Sequence, residues 1–150
     1  MASHYFTEDN KIFIASTTTA CAAGTTTITS SAVNMAGYDG CCFVVPVGTV
    51  VSGAVTSFKL QQSSDDAATD NYSDVLGTSV TIADTDDDGL KYLDIYRPGK
   101  QYLKLVVSRA TQAATLGGII AILYKGRTRP ATHGALVAGE QWASPAEGTA

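Results

Sequence analysis

Residues 57–124 alternate between apolar and polar side chains in short segments that polar turns separate. Phe58 and Leu60, for example, alternate with Lys59 and Gln61. A repeat of two residues is typical of a strand with one face in a core and one in solvent. The same pattern recurs at residues 79–83, 90–96 and 101–109. It predicts a compact antiparallel β domain.

Further strands are predicted at residues 11–15, 25–29, 41–47, 72–76 and 117–125, which gives eight or nine strands and no helix. Residues 41–47 are continuously apolar, as in a strand covered on both sides. Pro46 has no N–H and should mark an edge, a bulge or the strand end, with residues 48–51 as a link to the next strand. The last strand is apolar on both faces and should be central.

The turn Arg97–Pro98–Gly99–Lys100 has Pro and Gly where a turn favours them, and it predicts a hairpin between residues 90–96 and 101–109. About eight short strands indicate an all-β, antiparallel two-sheet sandwich, jelly-roll or immunoglobulin-like in order. We expect an N-terminal arm at residues 1–10, a β-sandwich domain at 11–126 and an extended C-terminal arm at 127–150.

Composition narrows the function classes. Charged residues are 16% of the 150 residues and the net charge is −4, which disfavours general nucleic-acid binding. No apolar run reaches the roughly 18 residues of a membrane span. Residues 1–10 lack the basic start and apolar centre of a signal peptide, so we expect synthesis in a cytoplasm. Cys21, Cys41 and Cys42 are then buried small hydrophobes, with Cys41 and Cys42 on opposite faces of one strand.

Candidate chemistry is sparse. Asp84, Asp86 and Asp88 match the opening of a calcium loop, but position twelve is Ile95 where a bidentate Glu is required. These carboxylates are therefore a weak metal candidate, and a solvated loop is the simpler interpretation. Both histidines lie in the terminal segments, and no nucleophile motif is present. We expect no enzyme activity and no cofactor.

The segment after residue 126 carries the predicted partner-binding residues. Trp142 is the only tryptophan and lies outside the predicted strands, where it suits an anchor in a partner's pocket. Leu136 and Val137 are spaced as in an extended peptide, and Arg127 and Arg129 form the one basic cluster. The alternative is that this segment folds back on its own domain.

The segments SFKLQQSSDD, YSDVLGTSVTIAD, LDIYRPGKQYLKLVVSRAT and GIIAILYKGRTRP, with the ending EQWASPAEGTA, resemble the cement or decoration proteins of tailed-bacteriophage heads. The resemblance covers about two-thirds of the chain. It implies a structural virion protein, a homotrimer that binds the outer surface of the major capsid protein shell and stabilises it. It implies no active-site residues.

Two other functions stay open. One is a carbohydrate-binding β-sandwich module of a phage fibre, which would use the tyrosines on the predicted strands: Tyr72, Tyr92, Tyr96, Tyr102 and Tyr124. The other is a different minor head or tail structural protein.

Overall fold

A computed structural model describes residues 4–144 and 147–148, and it is almost entirely β structure. Two antiparallel sheets pack together, which confirms the predicted sandwich. One short helix, α1 (Phe6–Asp9), precedes the strands. The strands are β1 (Lys11–Ser16), β2 (Ile28–Thr29), β3 (Val33–Asn34), β4 (Gly40–Val50), β5 (Val55–Ser63), β6 (Ser73–Asp74), β7 (Val80–Ile82), β8 (Leu90–Tyr96), β9 (Tyr102–Ala110), β10 (Ala114–Leu116) and β11 (Ile119–Tyr124).

The first sheet runs in the order β1, β11, β4, β8. Strand β10 continues beside β4 beyond the end of β11, with Leu116 opposite Val47 and Ile120 opposite Val44. The predicted central position of the last strand is confirmed, because β11 lies between β1 and β4. Strands β1 and β8 form the two edges.

The second sheet is built on the long pair β5 and β9. The short strands β2 and β3 pair with the other side of β9, and β6 and β7 pair with the other side of β5. The core lies between the two sheets, where every second side chain of each long strand points inward. Its fully buried members include Phe43, Val45, Phe58, Leu60, Leu103, Leu105, Val107 and Leu123.

Strand β4 is longer than the sequence predicts. The expected link at residues 48–51 is wrong, because β4 continues to Val50. Pro46 lies within the strand, opposite Leu90 of β8. Its carbonyl accepts from the Gly117 N–H (2.8 Å) at the break between β10 and β11. Pro46 is therefore neither at a sheet edge nor at a strand end, and of the three predicted places only an irregularity of the neighbouring ladder is found beside it.

The predicted hairpin at Arg97–Lys100 is wrong. Strand β8 pairs with β4 in the first sheet, whereas β9 pairs with β5 in the second. The turn therefore crosses from one sheet to the other, with Arg97 at a positive φ of 51° and its N–H bonded to the Asp39 carbonyl (2.7 Å). Turn signals describe the reversal of the chain, but they do not specify which strands pair.

The expectation of no helix also fails at two places, at α1 and at a 3-10 helix over Asp84–Asp86. Helix α1 is a single turn, and Asn10 ends it by donating its side-chain Nδ2–H to the Phe6 carbonyl (2.9 Å). One turn contains too few residues to show a helical hydrophobic repeat. Among the predicted short strands, those at residues 25–29 and 72–76 shrink to two residues each.

Candidate interaction surface

The outer faces of the two sheets differ in chemistry. On the first sheet, ladder partners place apolar side chains side by side across four strands. We call this surface the apolar face; it comprises Ile12, Ile14, Ile120, Ile122, Cys42, Val44, Leu90 and Tyr92 together with Tyr96 and Tyr124. On the second sheet the equivalent positions are mostly polar: Ser57, Lys59, Gln61, Asp74, Thr81, Lys104 and Ser108.

The exposure of the apolar face is greatest along the edge strand β8. Leu90 is 58% exposed, Tyr92 is 65% exposed and Tyr96 is 48% exposed. Inward-facing Leu93, between them, is buried. Strand β8 thus presents large apolar side chains at an edge that, within the described residues, has no further strand beside it.

One charged group lies on the apolar face. Asp94 of β8 accepts a hydrogen bond from the Tyr124 hydroxyl (Oη to Oδ1, 2.7 Å). The Tyr124 ring reaches it by lying over Gly40, where a Cβ would overlap the ring. Burial, and then the Asp94 carboxylate, raise the pKa of Tyr124, so the hydroxyl stays a donor.

Tyr96 lies at one end of the apolar face between two cations. The Lys125 ammonium is 4.7 Å from the centre of its ring, and the Arg97 guanidinium is 5.1 Å from it. Both distances are within the range of cation–π attraction. The apolar face therefore ends in a positively charged border.

The cysteines follow the predicted alternation. Cys41 points into the core and is fully buried, whereas Cys42 is half-buried on the apolar face. All three cysteines are free thiols. Burial raises the pKa of Cys41 and of Cys42, which favours the uncharged thiol and lowers reactivity.

The segment after β11 lies along the edge of β1. The Gly134 N–H donates to the Ile12 carbonyl (2.9 Å), and the Ile12 N–H donates to His133 Nδ1 (3.0 Å). Gln141 Nε2 donates to the Thr7 hydroxyl (2.6 Å), which links the two terminal segments. Residues 127–144 contain no helix or strand.

The predicted partner-binding residues differ in exposure. Leu136 is 73% exposed and Trp142 is 69% exposed, whereas Val137 is half-buried in a cavity that Ile12 also lines. Arg127 pairs with Asp39 (Nη2 to Oδ1, 3.1 Å). Arg129 pairs with Asp9 of α1 (Nε to Oδ1, 2.8 Å). Residues 145–146 and 149–150 of the predicted arm lie outside the described residues.

The acidic run at residues 84–88 holds neighbouring backbone in place. Asp84 accepts from the Gly53 N–H (2.7 Å), and Asp87 accepts from the Val50 N–H (2.6 Å). Asp86 accepts from the Ala83 N–H (2.7 Å) and pairs with Lys91 (2.8 Å), which lowers its pKa. The three predicted ligands, Asp84, Asp86 and Asp88, belong to no group of acidic, His or Cys residues able to hold a metal within the described part of the chain.

The five tyrosines considered for sugar binding are divided between the sheets. Tyr92, Tyr96 and Tyr124 lie on the apolar face. Tyr102 is on β9, and the Tyr72 ring lies 4.1 Å from the Lys104 ammonium of the same strand. The structure thus brings together three of them.

Arg109 is a key residue that the sequence reasoning missed. It is 6% exposed and donates to three backbone carbonyls: Thr26 (2.8 Å), Ala22 (2.6 Å) and Ala114 (2.7 Å). Alternation along β9 supplied the signal, because Arg109 has the same parity as buried Leu105 and Val107. Its role is to hold the loop that contains Cys21.

No family model and no curated protein matches the chain. Among solved structures, the chain is similar to the SPBc2 prophage-derived protein YomS, with 12% sequence identity and a TM-score of 0.48. The match covers 81% of this chain and 98% of that one. A likeness at this level carries no argument about function. Within residues 4–144 and 147–148, no helix is long and apolar enough to cross a membrane.

Proposed function

We propose that this chain is a structural protein of a bacteriophage particle that binds the outer surface of the assembled shell, made of the major capsid protein, and stabilises it. The observation that carries the proposal is the apolar face, which contrasts with the polar outer face of the second sheet. Contiguous apolar surface on a water-soluble domain is typical of a protein-binding surface. The resemblance to phage cement proteins supplies the partner.

The exposed aromatic rings contribute most of the binding free energy that the apolar face can supply. A tyrosine that is 65% exposed, such as Tyr92, offers roughly 100 Å² of apolar surface, worth about 2 kcal/mol on burial. Asp94 opposes burial of the face, because the Tyr124 hydroxyl fills only part of the carboxylate's hydrogen-bonding capacity and the partner must supply the remaining donors. The face is nevertheless suited to lie flat on another protein.

The C-terminal segment supplies two further anchors. Leu136 and Trp142 are both more than two-thirds exposed, although the residues around His133 lie against β1. Large apolar side chains held next to a rigid sheet edge lose less conformational entropy on binding than those of a free peptide. We therefore propose that the apolar face and these two residues together bind a neighbouring shell subunit.

A homotrimer is the assembly that we propose. The backbone edge of β8, which has no further strand beside it in the described residues, would be covered by a second copy, which removes an edge open to aggregation and leaves the outward side chains of β8 for the shell. Size-exclusion chromatography with light scattering gives the test. A mass of three times 15.6 kDa is expected, and a monomer at micromolar concentration would contradict the assembly.

Shell binding is tested by co-sedimentation with empty shells of the phage or prophage that encodes the chain. Tyr92→Glu places a charge on the apolar face and should abolish binding. Thr81→Glu places the same charge on the outer face of the second sheet and is the matched control. Equal binding by both variants and the unaltered protein would contradict the proposed surface.

The anchors are tested in the same assay. Trp142→Ala should weaken binding at least tenfold, as is usual for a buried tryptophan anchor. Leu76→Ala is the matched control, because Leu76 is 100% exposed on a loop of the other sheet. Undiminished binding by Trp142→Ala would remove the C-terminal segment from the interface.

One observation favours a second candidate, a carbohydrate-binding module. Tyr92, Tyr96 and Tyr124 share the apolar face, and aromatic rings on one surface can stack on sugars. A glycan array tests this function. Binding that Tyr92→Ala abolishes would support it, and an array without any bound glycan would exclude it.

A further inference from the structure

A cleft lies at the end of the sandwich where the chain crosses between the sheets. The turn after β3 (residues 35–39) and the turn after β8 (residues 97–101) run side by side. Two backbone hydrogen bonds join them, from Met35 to Gln101 (2.8 Å) and from Arg97 to Asp39 (2.7 Å). Together with Arg127 these residues enclose about 510 Å³, and we call this space the basic cleft.

The charge around the basic cleft differs from that of the rest of the molecule. The chain has a net charge of −4, yet Arg97, Lys100 and Arg127 all line the cleft, with Asp39 as its one acidic residue. Lys100 pairs with Asp70 (Nζ to Oδ2, 2.6 Å), and Arg127 pairs with Asp39. Arg97 has no carboxylate within ion-pair distance in the described residues.

The unpaired cations are concentrated at this end. Of the ten Lys and Arg residues, six form ion pairs and Arg109 is buried among carbonyls. In the described part of the chain, this leaves Lys11, Arg97 and Lys125. Two of the three, Arg97 and Lys125, lie on the same Tyr96 ring.

We propose that the basic cleft binds an acidic segment of a partner protein, with a carboxylate near Arg97 and Arg127. Arg97 and Lys125 repel each other across the Tyr96 ring. A carboxylate of the partner beside Arg97 would reduce that repulsion. Guanidinium groups bind carboxylates through paired N–H donors, and Arg127, whose side chain is 73% exposed, can share its donors between Asp39 and a ligand.

The binding step does not depend on the shell-binding proposal and is tested with the full chain. The probes are a fluorescent peptide amide with the sequence Ala-Asp-Glu-Asp-Glu-Ala and its uncharged counterpart Ala-Asn-Gln-Asn-Gln-Ala. Fluorescence anisotropy at low salt should show binding of the acidic peptide only, weakening as sodium chloride increases. Equal binding of both peptides, or no binding of the acidic peptide at 1 mM protein, would overturn the proposal.

Charge-removing variants locate the site. Arg97→Gln and Arg127→Gln should each lower the affinity for the acidic peptide about fivefold, as expected for an exposed charge contact worth about 1 kcal/mol. Lys91→Gln removes the same charge near the opposite end of β8, where Lys91 pairs with Asp86, and should change affinity less than twofold. An equal loss in Lys91→Gln would show nonspecific charge attraction and would overturn the assignment.

A binding measurement with DNA distinguishes an acidic protein segment from a nucleic acid as the partner. Single-stranded DNA of six thymidines should bind more weakly than the acidic peptide, because nucleic acid is repelled by the net negative charge of the chain. Tighter binding of the DNA, lost in Arg97→Gln, would replace the acidic segment by a nucleic acid as the ligand. All variants are compared at equal folded fraction by circular dichroism.

Discussion

Removal of the Arg109 guanidinium should destabilise the sandwich more than any change on its outer faces. The guanidinium donates to carbonyl groups of Ala22, Thr26 and Ala114 at 2.6–2.8 Å while only 6% of the residue is exposed. Among the described residues, no carboxylate lies within ion-pair distance of it. The carbonyls belong to the loop before β2 and to β10, so one side chain holds two separate segments of backbone together.

The magnitude follows from what Arg109→Met leaves behind. Methionine fills most of the volume but offers no donor, so three carbonyls lose their partners at about 1–3 kcal/mol each. Relief of the guanidinium's own desolvation offsets part of this loss, as does water that enters as the loop opens. We expect a net decrease of about 3–5 kcal/mol in the free energy of unfolding, a large fraction of the ~5–15 kcal/mol of an ordinary domain.

Urea denaturation measures this change, and a thiol reagent reports the loop. Cys21 is fully buried in that loop, so Arg109→Met should make one additional thiol reactive under native conditions. Lys104→Met, which alters an outward side chain of the same strand, is the control and should cost less than about 1 kcal/mol. A loss below 1 kcal/mol in Arg109→Met, with Cys21 still protected, would refute the proposed role.

Three further predictions concern single contacts. Gly40→Ala places a Cβ into the Tyr124 ring and should lower the free energy of unfolding, measured by urea denaturation, by about 1–3 kcal/mol. The decrease should be much smaller in a Tyr124→Ala background, and equal decreases in both backgrounds would exclude the clash. The hydrogen bond from Lys100, with those from Ser64, lowers the pKa of Asp70 to about 2. The ionised Asp70 carboxylate therefore stabilises the fold fully above the ordinary aspartate pKa of about 3.9, and this stabilisation is lost as the pH falls through 2. The melting temperature of Asp70→Asn should therefore lie below that of the unaltered protein at pH 6 and approach it at pH 2; a constant difference would contradict this. His133→Ala removes the acceptor of a β1 edge amide, so exchange of that amide should accelerate, and unchanged exchange would show that the segment stays in place without it.

The sequence predicts the sheets well where alternation is long. Strand β8 is found at its predicted bounds, Leu90–Tyr96, because seven residues of alternation leave one face for the core. The same parity rule places Tyr92 and Tyr96 outward and, applied to β9, would have placed Arg109 inward. The alternation of apolar and polar residues along a strand thus predicts on which face of the sheet each side chain lies.

Pairing across the sandwich is a different kind of information. The turn at Arg97–Lys100 has the residues of a hairpin, but β8 and β9 each find a longer partner elsewhere, in β4 and β5. The position of the C-terminal segment depends on a side chain, His133, that bonds to a backbone amide of β1 more than a hundred residues away. Such contacts leave no periodic trace in the sequence.

The central claim is that the apolar face is the surface that meets the phage shell. An electron cryo-microscopy map of the particle that carries this protein tests it most directly. We predict β1, β11, β4 and β8 against the shell, with Tyr92 and Trp142 buried in the contact and Lys59 on the solvent side. A map with the outer face of the second sheet on the shell, or with this chain absent from the head, would contradict the account.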